Sequence, residues 1–286
     1  MQRSLSILYD RVRWEEKTLL EKAKEKRINV KLIDAKSFPI NLTNVNSFKD
    51  FGDYVIQRCV GYFRGLHLTA ILEAKNLSVV NSFQTSLICG NKLLTTLHLT
   101  KANIPTPKTY AAFSTESALD AFSEIGYPAI SKPIIGSWGR LISLIRDRNG
   151  AETVLEHREM MNNSLLKIYY IQEMVRRPPR DIRIIVMDEN VVTAIYRSST
   201  SNSWRTNVAL GAKVSPCRVN DEIRDLAIRA SNAVGGGILA VDAMESKKGI
   251  LVHEINSTIE FKGASSASKV DIAEEILDYV LKKLKR

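Results

Sequence analysis

Cysteine is scarce. The 286 residues contain three, Cys59, Cys89 and Cys217, far apart in sequence and forming no C-x-x-C. That pattern excludes a disulfide-stapled miniprotein. With an N-terminus that does not read as a secretory leader, it points to a reducing, cytoplasmic compartment. No apolar run approaches the ~18–20 residues that a bilayer span needs, so no membrane partner is expected. No Gly-Lys dipeptide occurs, which removes the Walker A loop, and H-E-x-x-H, G-x-S-x-G and G-x-G-x-x-G are absent as well. Gly235-Gly236-Gly237 reads as a turn before a strand. Aromatics make up 7%, and no aromatic-rich RNA-binding motif or zinc module is present. The four histidines, His67, His98, His157 and His253, are scattered and read as structural. Simple strand alternation points His253 away from its neighbour Glu254.

What remains is an ordinary globular composition, 44% hydrophobic and 25% charged, long enough for about two compact units. Lys and Arg exceed Asp and Glu by 41 to 31, a net charge of +10 that favours an anionic partner without identifying it. The densest basic runs, KAKEKR at 22–27 and KKLKR at 282–286, read as solvated helix faces.

The first hundred residues alternate strand and helix patterns, which predicts a parallel α/β unit. Strands are expected at 4–9, 30–34, 53–58 and 78–80, with helices at 14–27 and 64–75. A helix at 91–102 ends at Ile104-Pro105-Thr106-Pro107. Strands at 108–113, 127–133 and 141–146 and helices at 115–125 and 152–161 form a second, α+β unit. Long apolar strands from Ile168 onward, with helices at 220–233 and 270–285, predict a largely antiparallel sheet. The expected division is residues 1–88, 89–166 and 167–286.

Four features carry chemistry. Lys132 ends an apolar strand and precedes a loop of small residues, Gly136-Ser137-Trp138-Gly139-Arg140. An ammonium beside a glycine-containing loop suits phosphate. Asp242, Glu254 and Asn256 lie on two late strands, with Glu254 and Asn256 at i and i+2 on one face. Two carboxylates and an amide oxygen make a hard site suited to Mg²⁺. Arg183, Arg197 and Arg205, with Asn207, form a cationic row suited to phosphate or carboxylate. Lys92 opens a helix, where its charge opposes the macrodipole unless it meets an anion.

Taken together these residues resemble the ATP-grasp carboxylate–amine ligases, over nearly the whole chain. The resemblance implies an ATP-grasp fold of three subdomains, with ATP and Mg²⁺ between the central and C-terminal ones. Lys92 and Lys132 would contact ATP phosphates under the 136–140 loop. Gln172, Glu173, Met174 and Val175 would border the adenine, and Asp181, in Asp181-Ile182-Arg183, would serve the ribose. Asp242, Glu254 and Asn256 would hold magnesium, with Arg197 and Lys132 neutralising charge in catalysis.

ILYDRVRWEE, SKPIIGSWGR, LEHRE, RDIRIIV, AIYR and EINSTIEFK are similar to one branch of that family. That branch joins L-2-aminoadipate or L-glutamate to the terminal Glu side chain of a small acidic amino-group carrier protein. The chemistry implied is acyl phosphate formation followed by attack of the α-amine. Gly263-Ala264 matches half of each specificity motif. The small Ala264 and the AIYRSS and NSTIEFK segments favour aminoadipate, in lysine biosynthesis, over glutamate, in arginine biosynthesis; dual use is the alternative, since one methylene is worth only ~1–3 kcal/mol. Arg176, Arg177 and Arg180 are candidates for carrier contact, and a homo-oligomer is implied. Loss of Asp242 or Glu254 is expected to abolish turnover with little change in folding. A basic nucleic-acid-binding protein is the remote alternative, and it leaves the acidic cluster unexplained.

Overall fold

The architecture follows from three sheets whose polar edges meet. A computed structural model describes residues 4–43, 51–199 and 211–284. The N-terminal unit has strands β1 (Leu5–Tyr9), β2 (Val30–Asp34), β3 (Tyr54–Gln57) and β4 (Ser78–Val80), ordered β2-β1-β3-β4 and all parallel. Helices α1 (Trp14–Glu25) and α2 (Tyr62–Ala74) supply the crossovers that parallel pairing requires.

Two short helices follow, α3 (Phe83–Gly90) and α4 (Lys92–Lys101). The sequence pattern predicts only the second. Asn91 separates them and caps α4, its side chain accepting from Leu93 and Leu94 N–H. Gly90 is required where α3 ends, because a Cβ there would lie 1.9 Å from the Tyr62 ring.

The middle sheet, β5-β8-β6-β7, is antiparallel and built from Thr109–Ala112, Tyr169–Glu173, Ala129–Lys132 and Ser143–Ile145. Helices α5 (Thr115–Ile125) and α6 (Arg148–Met160) cover it through Ala118, Phe122, Ala151 and Leu155. β8 bears on the expected division at residue 167. β8 reads as the first strand of the last unit, yet it sits between β5 and β6, where its alternating Tyr169 and Ile171 complete the middle core.

The third sheet is antiparallel, ordered β11-β10-β9-β12-β13, from Lys213–Cys217, Asn190–Ser198, Arg180–Met187, Ile238–Ser246 and Gly249–Asn256. β9 shows why it lies at the centre of the molecule. Ile182, Ile184 and Val186 face a core shared with α3, α4 and α7 (Asp221–Ala233), while Ile185 and Met187 face one shared with α1, β1 and α9 (Ile272–Leu284). Both faces are buried, so the strand reads as a continuous apolar run. A short helix, α8 (Lys262–Ser268), unpredicted by the sequence pattern, packs over β10 and β11. Among the described residues no helix is long and apolar enough to cross a membrane.

Candidate functional site

The odd positions of β9 are apolar in its second half but charged at its start, where Asp181 and Arg183 stand. Register places each beside a partner of opposite sign: Arg197 of β10 lies opposite Asp181, and Asp242 of β12 lies opposite Arg183. Glu254 of β13 is in turn opposite Asp242. Four neighbouring strands therefore write one row of charges across the end of the sheet.

The pairs are tight. Arg183 binds Asp242 through Nε and Nη2, at 2.9 and 2.8 Å, and Arg197 binds Asp181 in the same fork at 2.7 and 2.9 Å. Arg197 also reaches Asp242 at 3.2 Å, and Asn256 donates its amide to Asp242 at 3.3 Å. Burial alone would raise the Asp242 carboxyl; the Arg183 and Arg197 guanidiniums more than reverse this and hold it well below the usual carboxylate range. Burial also works against the Arg197 charge, which Asp242 and Asp181 restore and strengthen.

The lysines arrive from the other side. Lys92 donates to the Gly136 carbonyl at 2.7 Å and lies 3.7 Å from Glu254. Its own N–H donates to the Ile134 carbonyl, which ties the start of α4 to the glycine-containing loop. Lys132, at the end of β6, donates to the Gln172 amide oxygen at 2.7 Å. Burial pulls its ammonium down to about 8; Glu254 partly opposes this, while Lys92 and Arg177 add to it. In the loop, Gly139 has φ +68°, and Trp138 and Leu141 are held in the same left-handed region. Trp138 donates its indole N–H to Glu260 at 3.2 Å, and Arg13 of the N-terminal unit binds the same oxygen at 3.3 Å. Glu260 thus joins all three units beside a cavity of about 230 Å³. Lys92, Gly136, Trp138, Arg197, Asp242 and Glu254 are among its walls.

Most predicted residues thus converge, but five depart from their expected places. Asp181, expected at a ribose, is buried, and both of its oxygens accept from Arg197. Ala264 is 2% exposed inside the apolar core, and neither it nor Gly263 lines the cavity, so the small side chain opens no space there. Arg180 is forked onto Glu245 and stacked on Tyr196, and Arg177 turns inward onto the carbonyls of Pro178 and Arg180; only Arg176 of that trio is exposed. Among the residues expected at the adenine, the Gln172 amide oxygen accepts from Lys132, and Glu173 accepts from the Lys108 N–H at 2.8 Å; Val175 is buried and Met174 half-buried beside them. Arg205 and Asn207 lie outside the described residues.

Sequence reasoning also missed the bulge at His253. The β12–β13 register steps from Asp242–Glu254 to Ala243–Val252, so His253 is the extra residue of a β-bulge and strict alternation fails there. Burial, with the Lys132 ammonium adding to it, pushes the His253 ring well below the usual histidine value.

The donor set fits a hard divalent cation. Asp242 and Glu254 stand opposite each other, Asn256 lies two residues on, and no cluster of three His, Cys, Asp or Glu occurs among the described residues. A cation held by so few protein oxygens keeps ligand positions for water and phosphate. The buried, undercompensated Lys132 and the loop-bound Lys92 fit an anion alongside it.

Comparison with known proteins agrees. Residues 89–280 match the RimK-like ATP-grasp domain, and residues 5–88 match the LysX preATP-grasp domain. The glutamate–LysW ligase ArgX of Sulfolobus acidocaldarius is 38% identical over 96% of this chain and 97% of its own length. The α-aminoadipate–LysW ligase LysX of Saccharolobus solfataricus is 37% identical over 93% and 96%. A RimK-domain ATP-grasp protein from Sphaerobacter thermophilus superposes with a TM-score of 0.78 at 24% identity, covering 97% of this chain and 99% of that one. The ATP complex of D-alanine–D-alanine ligase from Bacillus anthracis gives 0.71 at 14% identity, covering 98% and 96%, a likeness of fold. By sequence as well as by fold, this chain belongs to the RimK-like ATP-grasp family, its ATP-grasp region preceded by a LysX-type preATP-grasp domain.

Proposed function

We propose that the chain is an ATP-dependent ligase that joins the terminal Glu side-chain carboxyl of an acidic, LysW-type carrier to the α-amine of an amino-dicarboxylate. The substrate is L-2-aminoadipate, with L-glutamate as the second reading, since relatives with each specificity are equally near. The observation that carries this is one cavity walled by cations on one side and by Asp242, Glu254 and Asn256 on the other. The γ-phosphoryl of ATP passes to the carrier carboxylate to give an acyl phosphate. The amine then attacks that carbonyl, and phosphate leaves as the amide forms.

No side-chain nucleophile is needed, because phosphoryl transfer is served by positioning and charge neutralisation. Lys92 and Lys132 supply charge to the phosphates, and Arg197, locked by Asp181, presents a guanidinium that cannot swing away. Asp242, Glu254 and Asn256 would hold Mg²⁺, whose contribution is to offset charge on the transferred group. The test is phosphate release with carrier present and each amino acid offered separately. Release that needs both carrier and aminoadipate supports the first reading, and release with glutamate alone selects the second. No release with either overturns the acceptor assignment.

A further inference from the structure

The glycine-containing loop is fastened at three points that differ in kind. At its start Lys92 donates to the Gly136 carbonyl, and at its end Arg158 of α6 donates to the Leu141 carbonyl at 3.2 Å; both cations are buried. Between them Trp138 donates its indole N–H to Glu260, whose side chain is 41% exposed. Water can take over this contact far more readily than the two buried ones. Glu260 itself is fixed from the N-terminal unit. Arg13 binds the same oxygen, while its Nε and Nη2 are held by Glu16 at 3.2 and 2.8 Å. Arg58, also on Glu16, donates to the Ile259 carbonyl at 2.8 Å, and Glu15 accepts from the Lys262 N–H at 3.4 Å.

The loop has to move for reactants to enter. The cavity beneath it measures about 230 Å³, below the ~300–1,000 Å³ usual for one small ligand, and the ligase reading needs a nucleotide, an amino acid and a carrier tail together. Trp138 and Leu141 also keep a left-handed backbone that neither side chain favours, so the loop needs an outside hold to stay as it is.

We propose that Glu260 is a positioning residue that fastens the loop through Trp138: the contact opens to admit the reactants and closes again over the acyl phosphate, keeping water from it. This rests on the ligase reading above and adds a residue to it. With the contact broken, water replaces the amine as the attacking group, and the acyl phosphate returns to carrier carboxylate and phosphate with no amide formed.

The test compares phosphate released with amide formed, using the full-length chain, ATP, Mg²⁺, the carrier and whichever amino acid wild type uses. Wild type should release close to one phosphate per amide. Trp138→Phe removes the indole N–H and keeps a ring for the Arg140 guanidinium, which lies 5.0 Å from the ring centre. It should release at least twofold more phosphate than amide, and Glu260→Leu at least as much. The double variant should be no worse than Glu260→Leu, since both changes break one contact. Glu260→Gln, which keeps an acceptor oxygen, should return the ratio to near one. A ratio of one in both single variants overturns the inference whatever happens to kcat, because a merely structural fault slows phosphate and amide in step. Additive losses in the double variant overturn it as well, as does a Gln variant that behaves like Leu. If wild type releases no phosphate with carrier and either amino acid, the ligase reading fails first and this inference with it.

Discussion

Asp242 and Glu254 look equivalent in sequence, but their surroundings give them different work. Asp242 is 3% exposed and balances two guanidiniums, so Asp242→Asn leaves Arg183 and Arg197 short of charge inside the protein. Breaking a buried pair of this kind costs about 3–5 kcal/mol, and urea unfolding should register a loss of that order along with lost turnover. Glu254 faces the cavity, its nearest cation 3.7 Å away, so Glu254→Gln should fold as wild type and lose about a hundredfold or more in kcat. Equal stability of the two variants would refute the structural half of Asp242's role.

Lys132 permits a separate test by pH. Its folded ammonium titrates near 8, below the ordinary lysine value of 10.5, because burial disfavours the charge. Between those values the unfolded chain binds more protons than the folded one, so Lys132 makes stability rise with pH across that window; below about 8 it adds no slope. A phosphate beside Lys132 favours the charged form, so nucleotide binding at pH 8.5–9 should take up close to one proton, and at pH 6.5 none from this group. Titrations in buffers of different ionisation enthalpy measure the uptake. The same small uptake at both pH values would remove Lys132 from the phosphate contacts.

At the scale of elements, legibility in the sequence tracked how local the cause was. The parallel N-terminal sheet follows from strand–helix alternation, and the charged ends of β9, β12 and β13 stand out because acids and arginines interrupt apolar strands. Partners fixed by tertiary register did not show. The Asp181–Arg197 fork depends on β10 lying beside β9, which no spacing in the chain reveals. The β13 bulge deletes one step of alternation at His253. β8 followed the middle unit in sequence but entered between its earlier strands. α3 is eight residues with no charged side chain in its first or last turn, which leaves little periodicity to read. Where Ala264 lies was hidden for a similar reason: α8 places its side chain in the core between sheet and helix.

At the scale of the molecule, the three units meet through polar side chains that also frame the cavity. Asn81 binds both backbone groups of Ile238 and the Ser257 carbonyl, Arg58 reaches the Ile259 carbonyl, and Glu260 ties Arg13 to Trp138. The segment 257–260, just beyond the proposed metal residues, is therefore held from the N-terminal unit and the glycine-containing loop together. Around this frame the net charge of +10 creates a long-range field for an acidic carrier, and such steering weakens as salt shortens the screening length to ~8 Å near 0.15 M. The carrier KM should therefore rise several-fold between 50 and 300 mM salt, while the KM for a carrier whose acidic residues other than the terminal Glu are replaced by their amides rises less. Arg176, exposed, can contribute to this field, whereas Arg180 is spent on Glu245. Arg176→Glu should raise the carrier KM and its salt sensitivity without changing the melting temperature. Arg180→Glu should lower the melting temperature by placing two carboxylates together. A carrier KM indifferent to both salt and Arg176→Glu would mean that the carrier docks by shape on another face, and that the surplus charge serves solubility alone.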